Sequence, residues 1–122
     1  MDLFHSNNLQ QMEVLAIGPG SSFLNGFLLS HAVAVLDAVS QVVAISPFRH
    51  LVTPGGQQMS VAMSNCGTLG WVSDRAGYRY QTEDPLTGKP WPVMPLVLRE
   101  GAQQAAHLAG YHDFQPNVCL IN

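Results

Sequence analysis

The residues with the most chemical character fall between Thr53 and Tyr80, T-P-G-G-Q-Q-M-S-V-A-M-S-N-C-G-T-L-G-W-V-S-D-R-A-G-Y-R-Y. Trp71, Tyr78, Arg79 and Tyr80 lie within one ten-residue window. Flat aromatic faces beside an arginine and glycine turns suit a planar, base-like or anionic ligand, through stacking and cation–π attraction. Met59 and Met63 would add a soft, polarizable floor, and Arg75 and Arg79 would reach a phosphate. The same aromatics would serve equally as the core of an antiparallel meander, because large aromatic side chains are mostly packed inside. Pattern alone leaves both readings open.

Elsewhere the chemistry is sparse. His5, His31, His50, His107 and His112 form no HxH, HxxxH or HxD pattern, so solvated or capping roles are expected of them. No pair of carboxylates is spaced to converge for acid–base work. Glu83-Asp84 reads as a solvated turn in a proline-rich loop. G-x-S-x-G does not occur, and G-P-G-S-S-F-L-N-G lacks both the Walker lysine and the dinucleotide spacing. Cys66 and Cys119 are far apart in sequence, without CxxC or zinc spacing, and reduced buried thiols are expected. Motif chemistry alone builds no complete catalytic site.

The chain has 122 residues, which bounds it to one domain. Charged residues make up 11%, scarce against a typical quarter, so much of the surface must be neutral, apolar or covered by something else. The net charge of −3 argues against a strong nucleic-acid footprint carried by this chain alone, though Arg75, Arg79 and Lys89 fall in one region. The first residues lack a basic and an apolar signal-peptide region, and no apolar run reaches the roughly 18 residues that span a bilayer. A soluble, cytoplasmic protein without membrane contact is expected.

These elements must position the aromatics. Residues 1–13 are polar and read as loosely held. Gly18-Pro19-Gly20 reads as a turn and Ser22–Phe27 as a short strand. Ser30 suits an N-cap, with Ala32, Leu36, Val39 and Val43 striping a helix that ends near Ser46, before Pro47. Pro54-Gly55-Gly56 is a turn, and Gln58–Cys66 alternates as one half-buried strand with Met59, Val61 and Met63 on one side. Gly70–Ser73 and Tyr78–Gln81 read as strands around an Asp74–Gly77 turn, with Tyr78 and Tyr80 on one face and Arg79 on the other. Pro95 starts a helix over Leu96–Leu108, striped by Leu98, Ala102, Ala105 and Leu108 and capped by Gly110. Val118–Ile121 reads as a strand buried on both faces, and such a strand at the end of the sequence leads us to expect a fragment whose fold continues.

Four blocks carry a resemblance: S-P-F-R-x-x-V-T-P-G-G, M-S-V-A-M-S-N-C-G-x-L-G-W with R-x-G-Y-x-Y, D-P-x-T-x-K-P-W-P-x-M-P, and Y-x-D-F-Q-P-x-x-C-L-I-N. From about residue 47 to 122 they resemble the bacterial AlkB family, iron(II)- and 2-oxoglutarate-dependent dioxygenases that repair alkylated DNA. Residues 1–46 match more loosely. The resemblance implies an α+β, mainly β fold: a nucleotide-recognition lid and the first part of a double-stranded β-helix, or jelly roll, truncated before the iron site. It divides a single, incomplete domain into an N-terminal extension (1–46), the lid (47–93) and a helix with the first core strand (94–122). By resemblance Trp71 packs on the flipped base, Tyr78 reaches base and phosphate with Arg79 and Tyr80 alongside, and Met63 lines the pocket. Thr53 to Gln58 form the lid loop, and Asn122 hydrogen-bonds 2-oxoglutarate. Gln57 departs from the aromatic expected in the lid loop. The HxD…H triad that binds iron is absent from the sequence, so no metal ligand and no catalytic residue is assigned within it.

In function, the resemblance implies the N-terminal part of an enzyme that oxidatively dealkylates N-alkylated bases. The partner is alkylated single- or double-stranded DNA, with RNA as the other substrate class, and the complete protein is a monomer. Alkylated bases must leave the stack to be reached, which calls for a stacking wall. The 122-residue chain alone is expected to be inactive. A reading of another class is a stand-alone single-stranded nucleic-acid-binding module using Trp71, Tyr78 and Tyr80. A third is a chain that does not fold stably by itself, its open sheet edge prone to aggregation.

Overall fold

The computed structural model describes residues 12–122. Six strands and two α-helices lie among them, with three two-stranded antiparallel sheets: an α+β arrangement rich in strands. The described residues fall into two compact units, 12–37 with Leu96–Pro116, and Ala38–Pro95 with Asn117–Asn122. Among the described residues, no helix is long and apolar enough to cross a membrane.

The first unit holds a hairpin and a helix. β1 (Glu13–Gly18) pairs with β2 (Ser21–Asn25), Val14 opposite Leu24 and Leu15 opposite Phe23. The Gly18-Pro19-Gly20 turn is where the sequence puts it, and the second strand is displaced by one to two residues from Ser22–Phe27. Residues 1–11 of the loosely held segment lie outside the described residues, while Glu13 already belongs to β1. The α2 helix runs from Leu96 to Leu108, as its periodicity predicts. It ends in a Schellman motif: Tyr111 N–H reaches Ala106 C=O at 2.8 Å and Gly110 N–H reaches His107 C=O at 3.0 Å. Gly110 takes φ +97°, a conformation that disfavours any residue with a Cβ. The most buried positions are Val97 and Gly101, so the buried stripe is turned by one residue from the predicted Leu98 and Ala102.

The α1 helix spans Ala32–Ile45 and differs in two ways from expectation. Ser30 does not cap it. A 3-10 turn, Leu29–His31, precedes the helix, and Ser30 Oγ bonds the neighbouring His31 Nδ1 at 3.1 Å instead. The buried stripe runs through Ala38 and Val42 with Val39 and Val43 at its side, while Ala32 and Leu36 are exposed. Both stripes share the 3.6-residue period, and period alone leaves the phase to whatever the helix packs on.

In the second unit, β3 (Ser64–Gly67) pairs with β6 (Val118–Ile121), and β4 (Gly70–Asp74) pairs with β5 (Gly77–Gln81). Ala38, Val42, Leu51, Cys66, Val72, Trp91, Met94 and Ile121 are its buried apolar residues. Gln58–Cys66 is not one strand. Isolated bridges at Gln58 and Met63 flank a bend at Ser60-Val61, and only Ser64–Gly67 joins a sheet. The bend breaks the alternation, leaving Met59 and Met63 half-buried and Val61 exposed. β6 is also not buried on both faces. It alternates, Ile121 buried and Leu120 exposed, because among the described residues it pairs only with β3.

Candidate nucleic-acid interface

The aromatic stretch folds into the β4–β5 hairpin, closed by the turn at Asp74–Gly77. Trp71 stands opposite Tyr80 and Ser73 opposite Tyr78, so all four share one face. The Trp71 and Tyr78 rings are stacked, centroids 5.7 Å apart and planes 15° from parallel. Tyr78 and Tyr80 are 61% and 62% exposed, which is far from the packed aromatic core that composition also allowed. Offset aromatic pairs of this kind hold their rings in place and leave the outer faces open.

The wall is fixed from behind by a residue to which the sequence assigned no role. Asn65, on β3, is 1% exposed. Its carboxamide nitrogen donates to the Trp71 carbonyl and its oxygen accepts from the Trp71 N–H, both at 3.0 Å. This two-point clamp sets the backbone that carries the indole. A signal was available: asparagine is depleted in strands, so one inside S-N-C-G implies that its amide is occupied. Ser73 Oγ donates to Val52 C=O at 2.7 Å and ties the same strand to the segment before the Thr53–Gln57 turn.

Arg79 lies on the opposite face, with Val72. Its Nη1 and Nη2 donate to the two Asp74 carboxylate oxygens at 2.9 and 2.8 Å, and Nε donates to Gln81 Oε1 at 2.8 Å. The hydrogen bond from Arg79, then that from Ala76 N–H, holds the Asp74 carboxyl below its ordinary range, and the same pairing raises the Arg79 guanidinium. A guanidinium so occupied braces the hairpin and is not turned toward the aromatic face. Arg75 is placed differently: its guanidinium lies over Gly56, where an added Cβ would come within 2.5–2.8 Å of it. It thus adjoins the Thr53 turn, in which Thr53 Oγ1 accepts from Gln57 N–H at 3.1 Å and Gly56 N–H bonds Thr53 C=O at 2.8 Å. Met63 is half-buried and pairs through its backbone with Arg49, and Asn122 is exposed just after β6.

A second buried cluster corrects the sequence expectation for Glu83-Asp84. Asp84 is not in a solvated turn but fully buried. Arg49 Nη1 and Nη2 grip its carboxylate at 2.6 and 2.8 Å, and Leu86 N–H adds a bond at 2.8 Å. Burial alone would push this carboxyl up; Arg49 and the bonds to its oxygens outweigh that and hold it below the usual range. The Arg49 guanidinium also sits 5.3 Å from the centre of the Trp91 ring, whose N–H donates to Gln81 C=O at 3.1 Å. This cluster anchors the 82–95 loop and the end of β5. Arg49 and Asp84 are 35 positions apart, beyond any spacing rule.

The histidines bring one more pairing. His107 Nδ1 and His112 Nδ1 are 2.8 Å apart, because the chain doubles back after Gly110. They border a cavity of about 430 Å³ lined with Glu100, Gln103 and Gln115; a second, about 540 Å³, is lined by Ala106, Tyr111, His112, Asp113 and Phe114. Both cavities are lined wholly by the first unit and take in none of the aromatic face. Among the described residues, no three of His, Cys, Asp and Glu come together to hold a metal.

An exposed aromatic wall on a rigid hairpin can stack on a flat ring. Comparison with known proteins places the chain in a family. The chain belongs to the 2OG-Fe(II) oxygenase superfamily, whose model matches residues 20–122. It is similar over all 122 residues to the "Alpha-ketoglutarate-dependent dioxygenase AlkB" of Salmonella typhimurium, at 51% identity, and to that of Escherichia coli, at 47%. An AlkB homolog of Caulobacter vibrioides is 38% identical over 109 residues, 88% of this chain. The chain spans about half the length of these relatives: 55% of the first two and 48% of the third. The family's name specifies iron(II) and 2-oxoglutarate. The described residues do not fit the iron, since no ligand group is assembled among them.

Proposed function

We propose that this chain forms the base-recognition part of an AlkB-type dioxygenase, which dealkylates N-alkylated bases in nucleic acid. The observation that carries this reading is the shared, open face of Trp71, Tyr78 and Tyr80, on a chain 51% identical along its length to a protein of that name. In this reading Trp71 and Tyr78 stack on the everted base, and Tyr80 extends the wall along the strand. Everting a base costs a few kcal/mol of lost stacking, about what an aromatic wall returns per base. Residues 47–93 act as the lid. Residues 94–122 begin the jelly roll, and Asn122 contacts 2-oxoglutarate. Iron ligands come from the part of the protein that corresponds to the rest of the relatives' length.

In this reading two roles differ from the resemblance. Arg79, held by Asp74 and Gln81, acts through the hairpin and positions the tyrosines. Arg75, over the Thr53–Gln57 turn, is the better-placed contact for a backbone phosphate of the substrate strand. Alkylated DNA is the substrate class, in a monomeric cytoplasmic enzyme. The test uses the full-length protein with iron(II), 2-oxoglutarate and an oligonucleotide carrying one N-methylated base. Loss of the methyl mass together with formaldehyde release is expected. An unchanged oligonucleotide under conditions that turn over 2-oxoglutarate would overturn the assignment.

A further inference from the structure

Cys66 and Cys119 are direct register partners across β3 and β6. Opposed residues of an antiparallel pair project from the same face, with Cβ atoms about 4.5–5.5 Å apart, close to the 3.5–4.5 Å a disulfide needs. Each thiol is the strongest influence on the other's proton affinity. Cys66 is fully buried and Cys119 half-buried, and both are free thiols. Neither belongs to the aromatic wall. Two thiols 53 positions apart in sequence, facing each other on neighbouring strands, are more than two buried small residues.

We propose that Cys66 and Cys119 are a peroxide-reactive dithiol that closes reversibly into a disulfide tying β3 to β6. The Cys119 sulfur is the attacking one, because it is half-buried where Cys66 is fully buried, and the facing Cys66 thiol favours its thiolate. The neighbouring Cys66 thiol outweighs burial and brings Cys119 down to about 7. The facing Cys119, then burial, pushes Cys66 up, so the pair gives up one proton readily and keeps the second. A thiol near neutral pKa is the form that attacks peroxide fastest.

The steps balance. The Cys119 thiolate attacks one peroxide oxygen and the O–O bond breaks. Cys119 becomes a sulfenic acid and hydroxide leaves. The Cys66 sulfur then attacks the Cys119 sulfur, the S–O bond breaks, and the second oxygen leaves as water. The Cys66 proton and the earlier proton end in water. Overall two thiols lose two hydrogens and one peroxide becomes two waters. An external dithiol reverses the reaction by exchange. The link would act next to the recognition wall, since Asn65, which clamps Trp71, is the neighbour of Cys66 on β3.

The test treats the full-length protein with dilute hydrogen peroxide and digests it without reduction. A Cys66–Cys119 linked peptide, lighter by two hydrogens than the separate peptides and lost on adding dithiothreitol, is expected. In Cys66→Ser and Cys66→Ala the sulfenic acid on Cys119 should persist and be trapped by dimedone. In Cys119→Ser, oxidation of Cys66 should slow by about tenfold or more. The two Cys66 variants separate a folding defect from a chemical one. The proposal is overturned if no linked peptide forms at peroxide levels that oxidise Cys119 to sulfinic acid. Equal oxidation rates of Cys66 in wild type and Cys119→Ser would overturn it too.

Discussion

Replacing Asn65 by alanine tests how the aromatic wall is held. The clamp consists of two hydrogen bonds, each 3.0 Å, to the N–H and the C=O of Trp71. Alanine removes both and leaves two backbone groups without their partner. Each such group costs about 1–3 kcal/mol when water cannot replace the bond. Asn65 is 1% exposed, but Trp71 is only half-buried, so water reaches part of the gap. That places the loss in the lower half of the sum, about 2–4 kcal/mol. It is a large share of the about 5–15 kcal/mol that holds a domain together. Asn65→Asp should lie between, because aspartate still accepts from the N–H but repels the carbonyl. Urea unfolding of the full-length protein gives the stability loss, and kcat/KM on a methylated oligonucleotide gives the functional loss. The reasoning fails if Asn65→Ala costs less than about 0.5 kcal/mol, the size of an ordinary surface substitution. It fails equally if the variant is destabilised as calculated but keeps the wild-type kcat/KM at a temperature where it is folded.

Other regions of the structure lead to further expected outcomes. Asp84 is held below the usual carboxylate range, so it stabilises the fold fully above its unfolded value of about 3.9, and this stability is lost as pH falls through the lower folded value. Asp84→Asn should therefore be less stable at neutral pH and flatter below about pH 4, as acid titrations of unfolding will show. Gly70→Ala would drive a methyl into the Trp91 ring and should cost about 2–3 kcal/mol by thermal or chemical melts. The 122-residue chain alone should release no formaldehyde from methylated oligonucleotide, because its described residues assemble no metal site. Turnover by that chain would refute this.

Local features were legible in the sequence. The bounds of α2, its Gly110 cap, the Asp74–Gly77 turn and the opposite facing of Tyr78 and Arg79 all follow from short-range periodicity and turn chemistry. The resemblance over residues 47–122 gave the family that the comparison establishes. What stayed hidden is long-range. Arg49 finds Asp84 across 35 positions, and Asn65 clamps a strand partner through side-chain-to-backbone bonds that leave no spacing signature. The Gln58–Cys66 alternation was real as pattern, yet a bend at Ser60-Val61 split it, because two separate bridges take the backbone bonds on either side. Helix phase in α1 slipped for a related cause: Ala, Val and Leu are spread so evenly that several stripes fit one period.

The central claim is that Trp71 stacks on the base from which the alkyl group is removed. It is tested most directly by Trp71→Ala in the full-length protein, read on two substrates at once. A stacked base is worth about 1–3 kcal/mol, so kcat/KM for the methylated oligonucleotide should fall by roughly 5- to 150-fold. The slow consumption of 2-oxoglutarate without nucleic acid should be unchanged, since Trp71 acts on the base alone. An unchanged kcat/KM would contradict the account, as would an equal fall in both rates.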